Sequence, residues 1–478
     1  MTEPLGPLDA LFLHMEDGVS HMHIGSCSIF AGPPPSIDEI TSLVRSKLPM
    51  LSRYRQKVRF VPAALGHPVW VDDPHFNLTY HVRHSALPPP GDAEALQNLV
   101  GRLMSQELDR HRPLWEMWMV EGLPDGQWAM IAKVHHCMVD GISGTDLMTQ
   151  LLDADPHAAL APSEPWSPEP EPSDAQLTVD AMGRMITRPA QRLLSSRFGA
   201  RQPGEAWARL NEVAAGFRSL TSRMLVPARQ VSIEGPIGPH RRWAPALCSL
   251  ADAKAIRKAL GGSVNDVVLT AISGGFRALL LQRGDVVENL VVRTLVPVSR
   301  RRPGDHTWNN QVSLILADLP VGIADPVERL QAVRAQMATL KESHQVNAGE
   351  AVVAAAEFLP PALLAFGAQA TMAMMRRSPQ RVLNTVTTNV PGPQYPLFAL
   401  GREMIEYMPF VPLSQGVRIG VAILSYNGKL TFGITGDYDT APDVRYMATQ
   451  IETEMNVLRS RAGRRKTTAT GRRLEEVS

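Results

Sequence analysis

A two-lobed chain of mixed helices and strands is what this sequence predicts, of the α+β or α/β class, and three observations predict it. Two pairs of strand-like runs are joined by strong turn signals, Pro124-Asp125-Gly126 and Asn427-Gly428. An apolar series at helical spacing lies between them, from Val264 to Leu280. A proline-rich stretch with interleaved glutamates divides the chain in two.

The elements follow in order. Leu114–Glu121 and Gln127–Val134 read as strands flanking the first turn. Pro162, Pro165, Pro168, Pro170 and Pro172 alternate with Glu164, Glu169 and Glu171, a composition expected to be extended and solvated. Residues 175–226 have helical character, interrupted by Gly183, Pro189 and Gly204, and Gly235–Pro239 closes this connector. Val264, Val267, Val268, Ala271, Ile272, Leu279 and Leu280 predict an amphipathic helix over 263–283. Gly416–Tyr426 and Leu430–Tyr438 form the second hairpin. The expected division is therefore an N-terminal lobe at 1–155, a connector at 156–240, a C-terminal lobe at 241–458 and a basic, disordered tail at 459–478.

Composition narrows the function. The chain has 478 residues, 44% hydrophobic and 20% charged, which is the profile of a folded globular protein. Lys+Arg 48 against Asp+Glu 47 leaves +1, unlike the strongly basic domains of general nucleic-acid binders. Cys27, Cys137 and Cys248 are too few for a disulfide framework or a structural zinc cluster. Met1–Met15 lacks the basic and apolar regions of a signal peptide, and no run reaches the roughly 18 apolar residues of a spanning helix. The expectation is a cytoplasmic protein.

Chemistry concentrates at His135-His136-Cys137-Met138-Val139-Asp140-Gly141, which follows a strand. If the strand stays regular, Trp128, Met130, Ala132, Val134 and His136 share one face, and Gln127, Ala129, Ile131, Lys133 and His135 share the other. The first face is apolar until it ends in His136, so His136 is expected to point inward. An imidazole with a pKa near neutrality suits a general base, and Asp140 is placed to orient it or to pin the loop. Histidines at strand ends also serve as packing residues, and spacing alone does not separate the two readings. Cys137 has the opposite parity and reads as packing. His21 and His23 share strand parity, but no nearby carboxylate or cysteine completes a metal set, so no metal is expected.

The pattern His135-His136-x-x-x-Asp140-Gly141 resembles the HHxxxDG motif of the CoA-dependent acyltransferase superfamily. The wider chain is similar to the bacterial wax ester synthase/diacylglycerol acyltransferase family. The matching segments are Leu5-Gly-Pro-Leu-Asp9, Met22-His23-Ile24-Gly25, Pro113-Leu114-Trp115-Glu116, Asn265-Asp266, Val296-Pro297-Val298-Ser299 and Asn389-Val390-Pro391-Gly392-Pro393. The resemblance runs from residue 5 to residue 455. It implies two chloramphenicol-acetyltransferase-like lobes, each a mixed sheet with flanking helices, and an active site between them.

It also implies roles. His136 would be the base, with His135, Asp140 and Gly141 in support, and Asn265 close to the histidine. Trp115, Thr388 and Asn389 would border the substrate channel. Asn265-Asp266 has a second reading, because Ser263 and Asp266 have capping-box spacing. Trp115 has one too, as a core anchor. Gln311 stands where the family usually has arginine, and Thr388 where it often has serine.

The implied reaction is direct esterification of diacylglycerol or a long-chain alcohol by acyl-CoA, a co-substrate rather than a bound cofactor. The absence of a G-x-S-x-G elbow agrees with a route lacking an enzyme nucleophile. The rivals are acylation of a polyketide, sugar or other hydroxyl, and a non-catalytic lipid-surface scaffold. Lipid substrates imply peripheral contact with the inner membrane or lipid droplets. Candidate contacts are 358–375, followed by Arg376-Arg377, and the basic tail. Each has a plain alternative, a buried helix and a solvated tail.

Overall fold

A computed structural model describes residues 2–138, 150–162, 165–194, 227–299, 312–342, 360–377 and 381–475. Two six-stranded mixed sheets form the frame. The first runs, edge to edge, Phe398–Ala399, Arg402–Phe410, His23–Phe30, Trp128–His135, Trp115–Glu121 and Val82–Ala86. The second runs Val312–Leu319, Val292–Ser299, Thr385–Pro391, Ile419–Tyr426, Lys429–Asp437 and Arg241–Ser249. Both hairpins form where the turn residues demanded them. Asn427 and Gly428 take φ of 42° and 81°, the paired positive values that suit the twist of a two-residue hairpin.

The strands Phe398–Ala399 and Arg402–Phe410 complete the first sheet, pairing next to His23–Phe30. The unit expected at 241–458 therefore does not keep all its strands, because this segment crosses back to the N-terminal lobe. It also locks the two sheets together. Tyr426 donates its hydroxyl to the Met404 carbonyl at 2.9 Å and accepts from the Leu397 N–H at 2.8 Å. Trp243 donates Nε1–H to the Pro409 carbonyl at 3.0 Å.

The predicted core helix spans Val264–Gln282. Ser263 and Asp266 cap it reciprocally, so the capping reading of Asp266 is what the structure contains. The expected amphipathic face is absent. Every position from Asp266 to Phe276 is buried, because the second sheet and the final helix enclose it. A Cβ at Gly275 would stand 2.7 Å from Cγ1 of Ile451, so glycine is what lets the two helices approach. This helix is long and apolar enough to cross a membrane, but 72% of it lies inside the fold.

Two further expectations change. The proline-rich connector is extended but seated. Glu171 pairs with Lys57 at 2.9 Å and with Arg59, Asp174 meets Arg59 at 2.7 Å, and Arg55 lies over Trp166 at 4.6 Å. The helix Asp174–Leu194 then buries Leu177 and Ala181 against Val61, Val69 and Val71. From Arg459 the described chain continues the helix Val444–Glu475. Leu458 and Ala462 are buried against the second core, and arginine and lysine propagate a helix readily.

Candidate active site

The site is built where His23–Phe30 and Trp128–His135 pair in antiparallel register, with His23 opposite His135. The second strand ends at His135. The His135 N–H reaches the Leu114 carbonyl at 2.9 Å, the His136 N–H reaches the Met22 carbonyl at 2.8 Å, and a 3-10 turn spans His136–Met138. The regular strand assumed for the face count therefore stops one residue short. Both of its faces are covered as well, since Ala129, Ile131 and Lys133 are as deeply buried as Trp128 and Met130. As a correction, His135 is the buried histidine, at 1% exposure, and His136 is partly accessible.

His136 stacks its ring on Phe12, with centroids 4.0 Å apart and planes at 25°. Phe12 comes from the first helix, Pro7–Met15. Burial pushes the His136 pKa down to about 4. The imidazole is therefore neutral at physiological pH.

His135 sits in a dense polar cluster. Its Nδ1 accepts the Cys137 N–H at 3.1 Å, and its Nε2 faces Oε2 of Glu16 at 3.5 Å. Oε1 of Glu16 lies 3.2 Å from Nε2 of His23, and His21 stacks on His23 at 5.5 Å. Arg110 clamps Oε2 of Glu16 with Nη2 at 2.6 Å and Nε at 3.1 Å. Burial alone would raise the Glu16 carboxyl, but His135 and His23 outweigh it and hold it well below the usual carboxylate range. Burial takes His23 the other way, down to about 3, despite its carboxylate neighbour. A carboxylate thus does stand beside His23, contrary to the sequence expectation. Among the described residues no group of three or more His, Cys, Asp or Glu is arranged to hold a metal.

The other candidates separate. Asp140, Gly141 and Gln311 lie outside the described residues. Oδ1 of Asn265 accepts Nδ2–H of Asn389 at 3.0 Å, which ties the core helix to the strand Thr385–Pro391. Among the described residues no hydrogen bond joins either asparagine to His135 or His136. Thr388 stands on the same strand, partly exposed. Trp115, put forward for the channel, is a core anchor at 3% exposure. It donates Nε1–H to the Tyr54 carbonyl at 2.8 Å and stacks on His81 at 4.6 Å. Cys137 is buried among Leu5, Leu13 and Leu114, and burial pushes its thiol well above the ordinary range, as a packing residue requires.

Phe12, Glu16 and Arg110 escaped the sequence reading. The one available signal was the separation of Phe12 and Glu16 by one helical turn, which says nothing of what they face.

Comparisons with known proteins bear on the whole chain. Residues 5–268 match the model of the wax ester synthase/diacylglycerol acyltransferase catalytic domain, and residues 308–459 match that of the WS/DGAT C-terminal domain. The probable diacylglycerol O-acyltransferase tgs1 of Mycobacterium tuberculosis is 36% identical over 467 residues, 97% of each chain. Another putative diacylglycerol O-acyltransferase of that organism is 30% identical, over 96% of this chain and 100% of the relative. The solved wax ester synthase/diacylglycerol acyltransferase of Marinobacter aquaeolei VT8 superposes with a TM-score of 0.68 at 25% identity, covering 96% of this chain and 100% of that one. The starter condensation domain of rhizomide synthetase, solved with C8-CoA, shares the fold, with a TM-score of 0.56 at 14% identity and coverage of 96% and 95%.

Proposed function

This chain belongs to the wax ester synthase/diacylglycerol acyltransferase family and is an acyltransferase, and from that premise we propose that His136 is its general base in the esterification of diacylglycerol or a long-chain alcohol by acyl-CoA. His136 takes the proton from the acceptor hydroxyl, and the oxygen attacks the thioester carbonyl. The tetrahedral oxyanion collapses, the C–S bond breaks, and the coenzyme A thiolate leaves with the proton returned from His136. No covalent acyl-enzyme is formed.

One observation carries this reading, the division of labour within the histidine pair. His135 is sealed, with its Nδ1 bonded to the Cys137 N–H and its Nε2 3.5 Å from Glu16, whereas His136 is partly accessible. A pKa of about 4 makes a weak resting base. The adjacent oxyanion would favour the imidazolium as it forms, raising basicity when the proton moves.

The test is release of coenzyme A from palmitoyl-CoA with dioleoylglycerol or hexadecanol as acceptor. His136→Ala should lose at least about 10²-fold in kcat with the fold intact by circular dichroism. Unchanged turnover overturns the assignment. His135→Ala should damage stability more. A parallel panel of sugar and polyketide hydroxyls addresses the rival substrates, and transfer to those alone would replace the lipid acceptor.

The same reading seats the enzyme peripherally on the cytoplasmic side of a membrane or on a lipid droplet. The helix Pro361–Arg377 supports it, with Leu363, Phe366 and Met374 at 58%, 71% and 68% exposure. Leu364, Ala365, Ala368 and Met372 are buried on its other side. Arg377 at its end suits anionic headgroups, while Arg376 faces Asp17 at 3.6 Å. Replacing Leu363, Phe366 and Met374 by serine should weaken cosedimentation with anionic vesicles severalfold while leaving turnover of a short soluble alcohol unchanged. Undiminished vesicle binding removes this helix from the membrane contact.

A further inference from the structure

Phe12 and Glu16 stand one helical turn apart, Phe12 within the first helix and Glu16 at its C-cap. Phe12 lies flat on the His136 ring, and the Glu16 carboxylate faces Nε2 of His135. The side chains of Glu16 and His135 are 7% and 1% exposed. Burying a carboxylate is costly unless it is paired, and an apolar residue would fill this space at no such cost. Glu16 is instead met from every side. Arg110 holds Oε2, the Met22 N–H donates to Oε1 at 3.3 Å, and His23 faces Oε1.

The hydrogen bond from Cys137 fixes the state of His135. Its Nδ1 accepts the Cys137 N–H and so carries no proton. The ring proton sits on Nε2, the nitrogen that faces Glu16. The Cys137 N–H belongs to the same 3-10 turn that carries His136. We infer that Phe12 and Glu16 form a splint for the histidine pair: Glu16 selects the His135 tautomer that grips the Cys137 N–H and so holds the turn, and Phe12 sets the plane of the His136 ring. Both are positioning residues. The inference rests on the reading of His136 as base, and it adds the first helix to the machinery of the site.

Misplacement of a reacting group by an ångström costs about 10²-fold in rate, so that is the loss in kcat expected for Glu16→Ala, with KM for acyl-CoA changed by less than about 3-fold. Glu16→Gln keeps an oxygen acceptor for the His135 Nε2–H and should recover kcat to within about 10-fold of the parent enzyme. Phe12→Leu keeps the bulk but loses the stack, and should lower kcat without moving KM. Full kcat in folded Glu16→Ala and Phe12→Leu overturns the splint, and so does a loss in KM alone.

A measurement on the unaltered protein guards against variants that fail to fold. With ¹⁵N-labelled histidine, and the His135 signal identified by its absence in His135→Gln, the ring should show a protonated Nε2 and a bare Nδ1. A proton on Nδ1, or on both nitrogens, at neutral pH overturns the inference whatever the variants do. Retained activity in His136→Ala would overturn the base assignment instead, and the His135 tautomer would be unaffected by that result.

Discussion

The two sheets differ in which polar side chains they bury. Around the second, the packing is aliphatic: Val292, Ile315, Ile419, Val421, Ile423 and Ile434 face the helix carrying Val267, Val268, Ile272, Phe276 and Leu279. Its strands also bury charge, at Arg241, Arg293 and Asp437, and beside them Arg329 is bonded to the carbonyls of Ile323 and Ala324 and paired with Glu454 at 2.9 Å. The one histidine described there, His240, is exposed. The first sheet buries His23, His81, Glu116, Lys133 and His135 within or beside its strands. Lys133 alone is held by the carbonyls of Leu103 and Gln106, at 3.1 and 2.5 Å, and burial still lowers its pKa to about 8. Both sheets thus bury charge, and what sets the first apart is its buried histidines, His23, His81 and His135.

A cavity in the aliphatic half tests that division most severely. Phe276 is fully buried in the core helix. Phe276→Ala should cost about 3–5 kcal/mol of stability, read from urea unfolding. The kcat of the protein that stays folded should be unchanged, because no functional group of the site leans on Phe276. A large drop in kcat under conditions where the variant is fully folded would break the comparison and couple the second core to the chemistry.

What was legible follows the same line. Local signals were enough for the hairpin at Asn427-Gly428, the cap at Ser263 and the core helix, because each depends on residues a few positions apart. The histidine motif was legible as a pattern. Its burial was not, because parity ranks two faces only when one of them meets solvent, and the strand Trp128–His135 is covered on both. Glu16 was invisible for another reason. It meets His135 only because His23 pairs across to that residue, and register between distant strands is not written in either one. The return of Arg402–Phe410 to the first sheet and the bond between Asn265 and Asn389 are long-range in the same way.

Acid should find the sheet with the buried histidines first. Burial lowers His136 and His81 to about 4 and His23 to about 3, whereas the unfolded chain binds these protons near pH 6.5. Folding therefore excludes protons at these three histidines that the unfolded state takes up as pH falls below 6.5, and burial shifts His14 and His21 in the same direction. The associated stability is complete above that value and is lost progressively toward pH 4, with these histidine protons setting the slope. Glu16 does not oppose this within the window, since its carboxyl stays ionised when folded and its own contribution begins to be lost only below about pH 4.5. Amide exchange between pH 7 and 5 should show it. The strands His23–Phe30 and Trp128–His135 should lose protection relative to Ile419–Tyr426 and Lys429–Asp437, once intrinsic exchange rates are corrected for pH. His81→Gln removes one of these excluded protons and should flatten the decline. Equal pH dependence in the two sheets would mean that they open only together, and the contrast would then be one of composition without separate stability.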